Sequence, residues 1–192
     1  MFTMVLIAGS GAAFAADLET IGQTGPICAL SHHGQHAIDQ GLTALSILDP
    51  AAHAAILHDL AIGGLQIGEL QSTTRKAESD VNTIAIKLSD NPTAVQVAAR
   101  LAHEQHHRAN DYVGRPYFHD TEACKEARAW AHTYETLRAG SCLGPSEGVG
   151  GVPCSALDRA WTTAYVFIEE CGTLDWYSLL GLYDTGCCTE GE

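Results

Sequence analysis

The hydrophobic residues of this chain recur mainly at the three- and four-residue spacing of α-helices. The clearest run places four residues on one helix face before Asp49-Pro50 ends it: Ile38, Leu42, Leu45 and Leu48. Pro50 is suited to open a second, alanine-rich helix. Similar patterns predict helices from 92 or 93 to about 112, from near Asp120 to Arg138, and from about 155 to 170.

Two short segments fit β-strands better than helices. GGLQIGEL alternates weakly after a Gly-Gly turn, and DVNTIAIKLSD is rich in β-branched residues before the turn residues Ser89-Asp90-Asn91-Pro92. The sequence therefore predicts an α+β fold that is mainly helical, with a small sheet.

The composition permits a buried core and excludes some partners. With 46% hydrophobic and 17% charged residues, the 192-residue chain can fold as one domain. The formal charge of -13 argues against nucleic acid or an anionic membrane as a natural partner.

The first sixteen residues resemble a secretory signal peptide. A short apolar stretch ends in Ala13-Phe14-Ala15, an A-x-A-like cleavage pattern before Asp17. The basic start typical of such peptides is absent, and a buried N-terminal segment is the alternative. We expect residues 1–16 to be a signal peptide, residues 17–192 to form one domain, and the protein to be secreted or periplasmic.

The cysteines support an oxidising compartment. All seven follow the predicted cleavage point, and none has the C-x-x-C spacing of a structural zinc site. Cys142 and Cys154 bracket a glycine-rich loop and are the natural first choice for a disulfide. Cys124 is expected to be half of a disulfide or a packing residue rather than a nucleophile.

The densest chemical signal is RLAHEQHHRA, at residues 100–109. His103 and His107 are four residues apart and share a helix face, with Glu104 beside the first. In this H-E-x-x-H arrangement two imidazoles bind Zn²⁺ and the carboxylate acts on a water molecule.

The surroundings of this motif favour a metal site over a chance match. The two histidines fall roughly opposite an apolar stripe formed by Ala94, Val97, Ala98 and Leu101. Their own face carries small or polar residues that suit a cleft: Gln96, Ala99 and Asn110. His106 points off this face and is expected to be solvated or to lie outside the ligand set.

A third ligand is expected on the next helix, where Glu122 and Glu126 are both candidates. Glu122 has a structural explanation, because acidic residues are favoured in a first helical turn. Glu126 shares a partly apolar face with Trp130 and Thr133, where a carboxylate needs a partner. Glu126 is therefore the preferred ligand, with Glu122 as the alternative.

The segments NTIAIKLSDNPTAVQVAARLAHEQHHRA and DTEACKEARAWAHTYETL together resemble the zincin metallopeptidases of the glutamate-ligand, or gluzincin, type. The resemblance implies a zincin-like domain with its metal-site core at residues 80–138, an edge sheet packed on the active-site helix, and a cysteine-containing helical region after it. It also implies that His103, His107 and Glu126 bind Zn²⁺ and that Glu104 is the general base. GGLQIGEL could be the strand that aligns the substrate; a scaffold strand is the alternative.

The leading functional hypothesis is hydrolysis of peptide bonds by a zinc-activated water, with a peptide or protein as substrate. The alternatives are a non-catalytic secreted zinc-binding module and a disulfide-stabilised helical module. Five residues could assist the oxyanion, and the sequence does not choose among them: Tyr112, Tyr117, His119, His132 and Tyr134.

Overall fold

The computed structural model describes residues 27–142 and 151–181. These two ranges contain six helices: α1 (His32–Leu48), α2 (Pro50–Ala61), α3 (Ala94–Asn110), α4 (Glu122–Gly140), α5 (Cys154–Cys171) and α6 (Trp176–Leu179). They also contain four strands: β1 (Ile27–Cys28), β2 (Gln66–Leu70), β3 (Ala77–Ser79) and β4 (Thr83–Ile86). The predicted signal peptide lies outside the described residues, as do the glycine-rich loop at 143–150 and the last two cysteines.

The helix boundaries follow side-chain caps. Asp49 ends α1 and caps α2, because its carboxylate accepts a hydrogen bond from the Ala52 amide at 3.0 Å. Thr93 caps α3 in a reciprocal capping box with Gln96. The helix predicted to begin near Asp120 is capped one residue later, by Thr121. Asp120 instead accepts a hydrogen bond from the Arg128 guanidinium.

The sheet has the strand order β1-β2-β4-β3. Strands β2 and β4 are parallel, whereas β1 and β3 run antiparallel to their neighbours. GGLQIGEL supplies β2, which is paired on both sides, by β1 and β4, and so is an inner strand rather than an end strand of the sheet. The end strand next to β4 is β3, which the sequence did not predict because alternation is not recognisable over three residues.

Helix α3 lies at the centre of the fold. It packs against α1, α2 and α4 and against strands β3 and β4. Val97, Leu101 and Ala102 are fully buried. The mainly helical α+β fold, with a small sheet packed on the helix that carries the H-E-x-x-H residues, is thus confirmed.

The described cysteines are largely in disulfides. Cys124 at the start of α4 is bonded to Cys171 at the end of α5. Cys142 and Cys154 are also disulfide-bonded, and the expected bond between these two stays a prediction. Cys28 is a free, exposed thiol.

None of the helices in the described ranges combines the length and apolar character needed to cross a membrane.

Helices α1 and α3 are in close contact at Gly41. A Cβ atom placed on Gly41 would lie 2.2 Å from a methyl group of Val97 and 2.7 Å from its Cβ. Val97 is fully buried and β-branched, so it has little freedom to move away. The absence of a side chain at Gly41 therefore makes room for Val97 between the two helices.

We expect Gly41→Ala to lower the free energy of unfolding by about 1–2 kcal/mol, because overpacking outweighs the gain in helix propensity. Urea denaturation followed by circular dichroism measures this. Gly64→Ala is the matched control, since its nearest neighbour would be 3.6 Å away. Equal stability of Gly41→Ala and the wild type would contradict the close packing.

Candidate metal centre

Helices α3 and α4 bring His103, His107 and Glu126 together. The Nε2 atoms of His103 and His107 are 3.1 Å apart. The Glu126 carboxylate lies beside both, with Oε2 at 3.5 Å from His103 Nε2 and Oε1 at 3.7 Å from His107 Nε2. Each residue offers one ligand atom, and these atoms all lie within 4.8 Å of one another.

These separations suit a small divalent metal ion. Tetrahedral coordination with bonds of about 2.0–2.1 Å places ligand atoms about 3.3 Å apart. The two Nε2 atoms are 3.1 Å apart, and each has a different Glu126 oxygen at 3.5 or 3.7 Å, all close to that value. The three residues could therefore hold a metal ion with little rearrangement.

Hydrogen bonds on the far side of each imidazole direct its Nε2 atom toward this point. Thr133 donates its own hydroxyl to the Ala129 carbonyl, so its Oγ1 is left to accept from His103 Nδ1 at 3.1 Å. His107 Nδ1 contacts the Asp111 carboxylate at 2.5 Å. When each ring carries its single proton on Nδ1, the two Nε2 lone pairs face each other, an arrangement that a cation between them stabilises. Without a metal, a His103 ring that is also protonated on Nε2 can donate to Glu126 instead.

The charges around the site also favour a cation. Burial disfavours the charged form of His107, but the hydrogen bond to Asp111 and the negative charges of Glu104, Glu126 and Asp111 outweigh it, so its pKa is raised. Burial likewise opposes the charge on Glu126. The hydrogen bond to His103 and the nearby positive charges outweigh that effect, and the pKa of Glu126 is lowered.

Glu104 is held beside the ligand pair by the end strand of the sheet. Its side chain is buried, and its Oε2 accepts a hydrogen bond from Ser79 Oγ at 2.7 Å. The hydroxyl of Tyr112, just beyond α3, donates to the Ser79 carbonyl, and burial raises the Tyr112 pKa to about 12. Strand β3 is therefore tied to both the motif and the end of α3.

Glu122, the alternative third ligand, points away from the site. Its side chain is 87% exposed and pairs with Lys125 at 3.0 Å. The structure thus brings Glu126, and not Glu122, to the histidines. Trp130 and Thr133 share the Glu126 face as expected, with the Trp130 ring packed edge-on against His103.

The expected cleft residues have other positions. Gln96 is exposed and completes the α3 capping box, and Ala99 is buried. Asn110 donates to the His106 carbonyl. On α3, the face opposite the apolar stripe is covered by α4 at His103 and His107. Helical spacing alone could not indicate this contact between two helices.

His106 is not solvated. Its ring lies 5.2 Å from the His132 ring and 6.5 Å from the Tyr117 ring, centroid to centroid. Burial is the main reason that the pKa of His106 falls to about 3, and nearby positive charges add to it. His106 is therefore a half-buried histidine outside the ligand set, and its neutral form is favoured.

The five candidates for assisting an oxyanion have separate surroundings. Tyr112 is bonded to β3, and Tyr134 is fully buried. His132 pairs with Asp49 at 2.8 Å, and the Arg128 guanidinium stacks 4.1 Å above the Tyr117 ring. His119 is exposed beside Phe118.

Three residues of the site were missed by sequence reasoning. Asp111 had a detectable signal, because it lies four residues after His107 at the end of the same helix. Thr133 was noted on the Glu126 face but given no role. Ser79 had no signal at all, since only the pairing of β3 with β4 brings it to Glu104.

Comparisons with protein-family models, with curated protein sequences and with solved structures gave no match. The chemical interpretation of the site therefore depends on the geometry of its residues.

We expect Glu126→Gln to lose most of the stabilisation that added Zn²⁺ gives the wild type, and Glu122→Gln to keep it. A ligand at one hundred times its Kd stabilises the folded state by about 2.7 kcal/mol. Thermal unfolding with and without Zn²⁺ after chelator treatment measures this difference. Equal responses of the two variants would contradict Glu126 as the ligand.

Metal-free protein should become less stable below pH 6.5 because of His106. The unfolded chain binds a proton near the ordinary pKa of 6.5, whereas the folded chain does not until about pH 3. Within this window, protonation of His106 in the unfolded chain therefore lowers the free energy of unfolding by about 1.4 kcal/mol for each pH unit. Urea titrations at several pH values, in the presence of chelator, measure the free energy of unfolding. It should fall less steeply with decreasing pH in His106→Gln than in the control His36→Gln, which changes an exposed histidine. The same pH dependence in both variants would refute this.

Proposed function

We propose that this protein is a zinc-dependent metallopeptidase of the zincin type, secreted or periplasmic, that hydrolyses peptide or protein substrates. The observation that carries the proposal is the meeting of His103 Nε2, His107 Nε2 and Glu126 with Glu104 adjacent in the helix. The Cys124–Cys171 disulfide supports an oxidising compartment.

Zinc is the proposed metal because two imidazole nitrogens and one carboxylate form a donor set that it uses in catalytic sites. His103, His107 and Glu126 would hold it. When bound, zinc supplies Lewis acidity that activates water and polarises a carbonyl. Three protein ligands leave room for these exogenous groups, in contrast to a closed structural site with four.

Glu104 is the proposed general base. Ser79 donates to Oε2, which leaves Oε1 to accept a proton from the attacking water. The same carboxyl group then delivers that proton to the leaving amine. The hydrogen bond from Ser79 orients Glu104 before substrate arrives, and preorganisation of this kind is what a catalytic base requires.

Strand β3 is the proposed docking edge for the substrate backbone. It is the last strand of the described sheet, and its Ser79 contacts Glu104. An extended peptide could pair with such an edge through main-chain hydrogen bonds. We therefore assign to β3 the substrate alignment that the sequence had suggested for β2. An edge strand beside Glu104 and a sheet packed on α3 both support a zincin-like fold.

A non-catalytic zinc-binding module remains the second candidate. It would need the same three ligands, but it would have no use for a buried carboxylate beside them. The disulfide-stabilised module without metal would use neither feature. Zinc content and turnover together separate the three functions.

We expect Glu104→Gln to lower hydrolysis of a denatured-protein or peptide library by about 10²–10⁴-fold while zinc stoichiometry stays the same. The amide keeps the shape of the side chain but cannot accept a proton as the carboxylate does. Glu135→Gln is the control, because Glu135 is exposed on α4 and pairs with Arg138.

Unchanged turnover in Glu104→Gln would rule out the proposed base. A wild type that binds zinc but hydrolyses nothing would favour the non-catalytic module. A wild type without zinc would leave only the disulfide-stabilised domain.

A further inference from the structure

Glu126 is held differently from the two histidine ligands. His103 and His107 lie on the buried central helix, and each ring has a second hydrogen bond. The Glu126 side chain is 36% exposed. Within the described part of the chain, the hydrogen bonds and ion pairs of its carboxylate are those to the two imidazoles. Its position therefore depends on the backbone of α4.

Glu126 lies close to the start of α4, where a helix is weakest. The first four amide groups of a helix have no acceptor within it. Thr121 accepts from one of them, the Cys124 amide, at 3.3 Å. The Lys125–Glu122 ion pair in the same turn is largely exposed at its acidic end and contributes little. Side-chain caps and surface charges alone would allow this turn to fray.

The Cys124–Cys171 disulfide adds a covalent constraint to this turn, beside the packing of the fully buried Ala127 and the Arg128–Asp120 hydrogen bond. Cys124 is 5% exposed and lies two residues before Glu126. Two residues correspond to a rotation of about 200° around the helix, so the disulfide anchors α4 on the side opposite Glu126. Its partner Cys171 is the last residue of α5, with the two Cα atoms 4.8 Å apart.

We propose that the Cys124–Cys171 disulfide positions Glu126 for the metal, so that metal affinity depends on this bond being intact. The inference rests on the proposed metal site but not on peptidase activity. Two glutathione thiols supply two electrons and two protons for its reduction. The S–S bond breaks, Cys124 and Cys171 become thiols, and glutathione disulfide forms. The start of α4 then loses its anchor and Glu126 leaves its position beside the histidines.

The first test measures Zn²⁺ affinity of Cys124→Ala/Cys171→Ala by competition with a chromophoric chelator. We expect a Kd about 10–100-fold weaker than that of the wild type, the range seen when outer-shell support of a ligand is removed. Circular dichroism fixes a temperature at which both proteins are folded. Measuring at that temperature separates loss of positioning from loss of fold.

The control is Cys142→Ala/Cys154→Ala. These cysteines are also disulfide-bonded, but they lie beyond the other end of α4 and at the start of α5. At the helical rise of 1.5 Å per residue, the 16 residues from Glu126 to Cys142 correspond to roughly 24 Å along the axis of α4. We therefore expect Zn²⁺ affinity of this double variant to stay within twofold of the wild type. An equal loss in both double variants, or no loss in the first, would overturn the inference.

A second measurement uses the wild-type protein and does not depend on a variant folding. Because coupling is reciprocal, bound Zn²⁺ must make the Cys124–Cys171 bond harder to reduce. A tenfold effect on Zn²⁺ affinity corresponds to a midpoint reduction potential of the disulfide that is about 30 mV more negative. Alkylation and mass spectrometry in glutathione redox buffers, at zero and at saturating buffered Zn²⁺, measure that midpoint.

An unchanged midpoint would overturn the inference and leave the proposed metal site intact. A wild type that binds no Zn²⁺ would overturn the inference and the proposed function together. The two failures are therefore distinguishable.

Discussion

Burial of α3 at the centre of the molecule is the constraint on which the rest of the structure depends. Three helices and two strands pack on it, so even Glu104, Gln105 and Arg108 are removed from water. Buried polar groups are unfavourable unless they are hydrogen-bonded. Arg108 accordingly donates to the Val81 carbonyl and to Asp59, and Glu104 accepts from Ser79. The polar residues of α3 thereby bind the sheet and α2 to the helix.

The candidate metal centre is the second consequence of that burial. His103 and His107 face α4, which supplies Glu126 as a candidate ligand and Thr133 as a partner for His103. The negative charges of Glu104, Glu126 and Asp111 raise the pKa of His107, so the site favours a positive charge there. The central helix supplies two of the three candidate ligands, both with a second hydrogen bond, and the third lies near the start of α4.

The parts of the fold that could be predicted are those with a long, regular pattern. Helix α1 ends and helix α2 begins at Asp49-Pro50, because proline fixes the backbone there. Strand β3 has three residues, too few for a recognisable alternation, and its pairing with β4 depends on contacts made only in the folded sheet. Its absence from the prediction also hid Ser79, the hydrogen-bond donor to Glu104.

By itself the sequence determined the ligand pair and the adjacent carboxylate, because residues four apart share a helix face in any fold. Tertiary structure decided which glutamate completes the site: both candidates lie on one helix, and only packing of α4 on α3 turns Glu126 inward and leaves Glu122 in solvent. It also decided the partners that orient His103 and Glu104, which are 30 and 25 residues away in the chain. Such contacts are set by three-dimensional packing, and no local pattern encodes them.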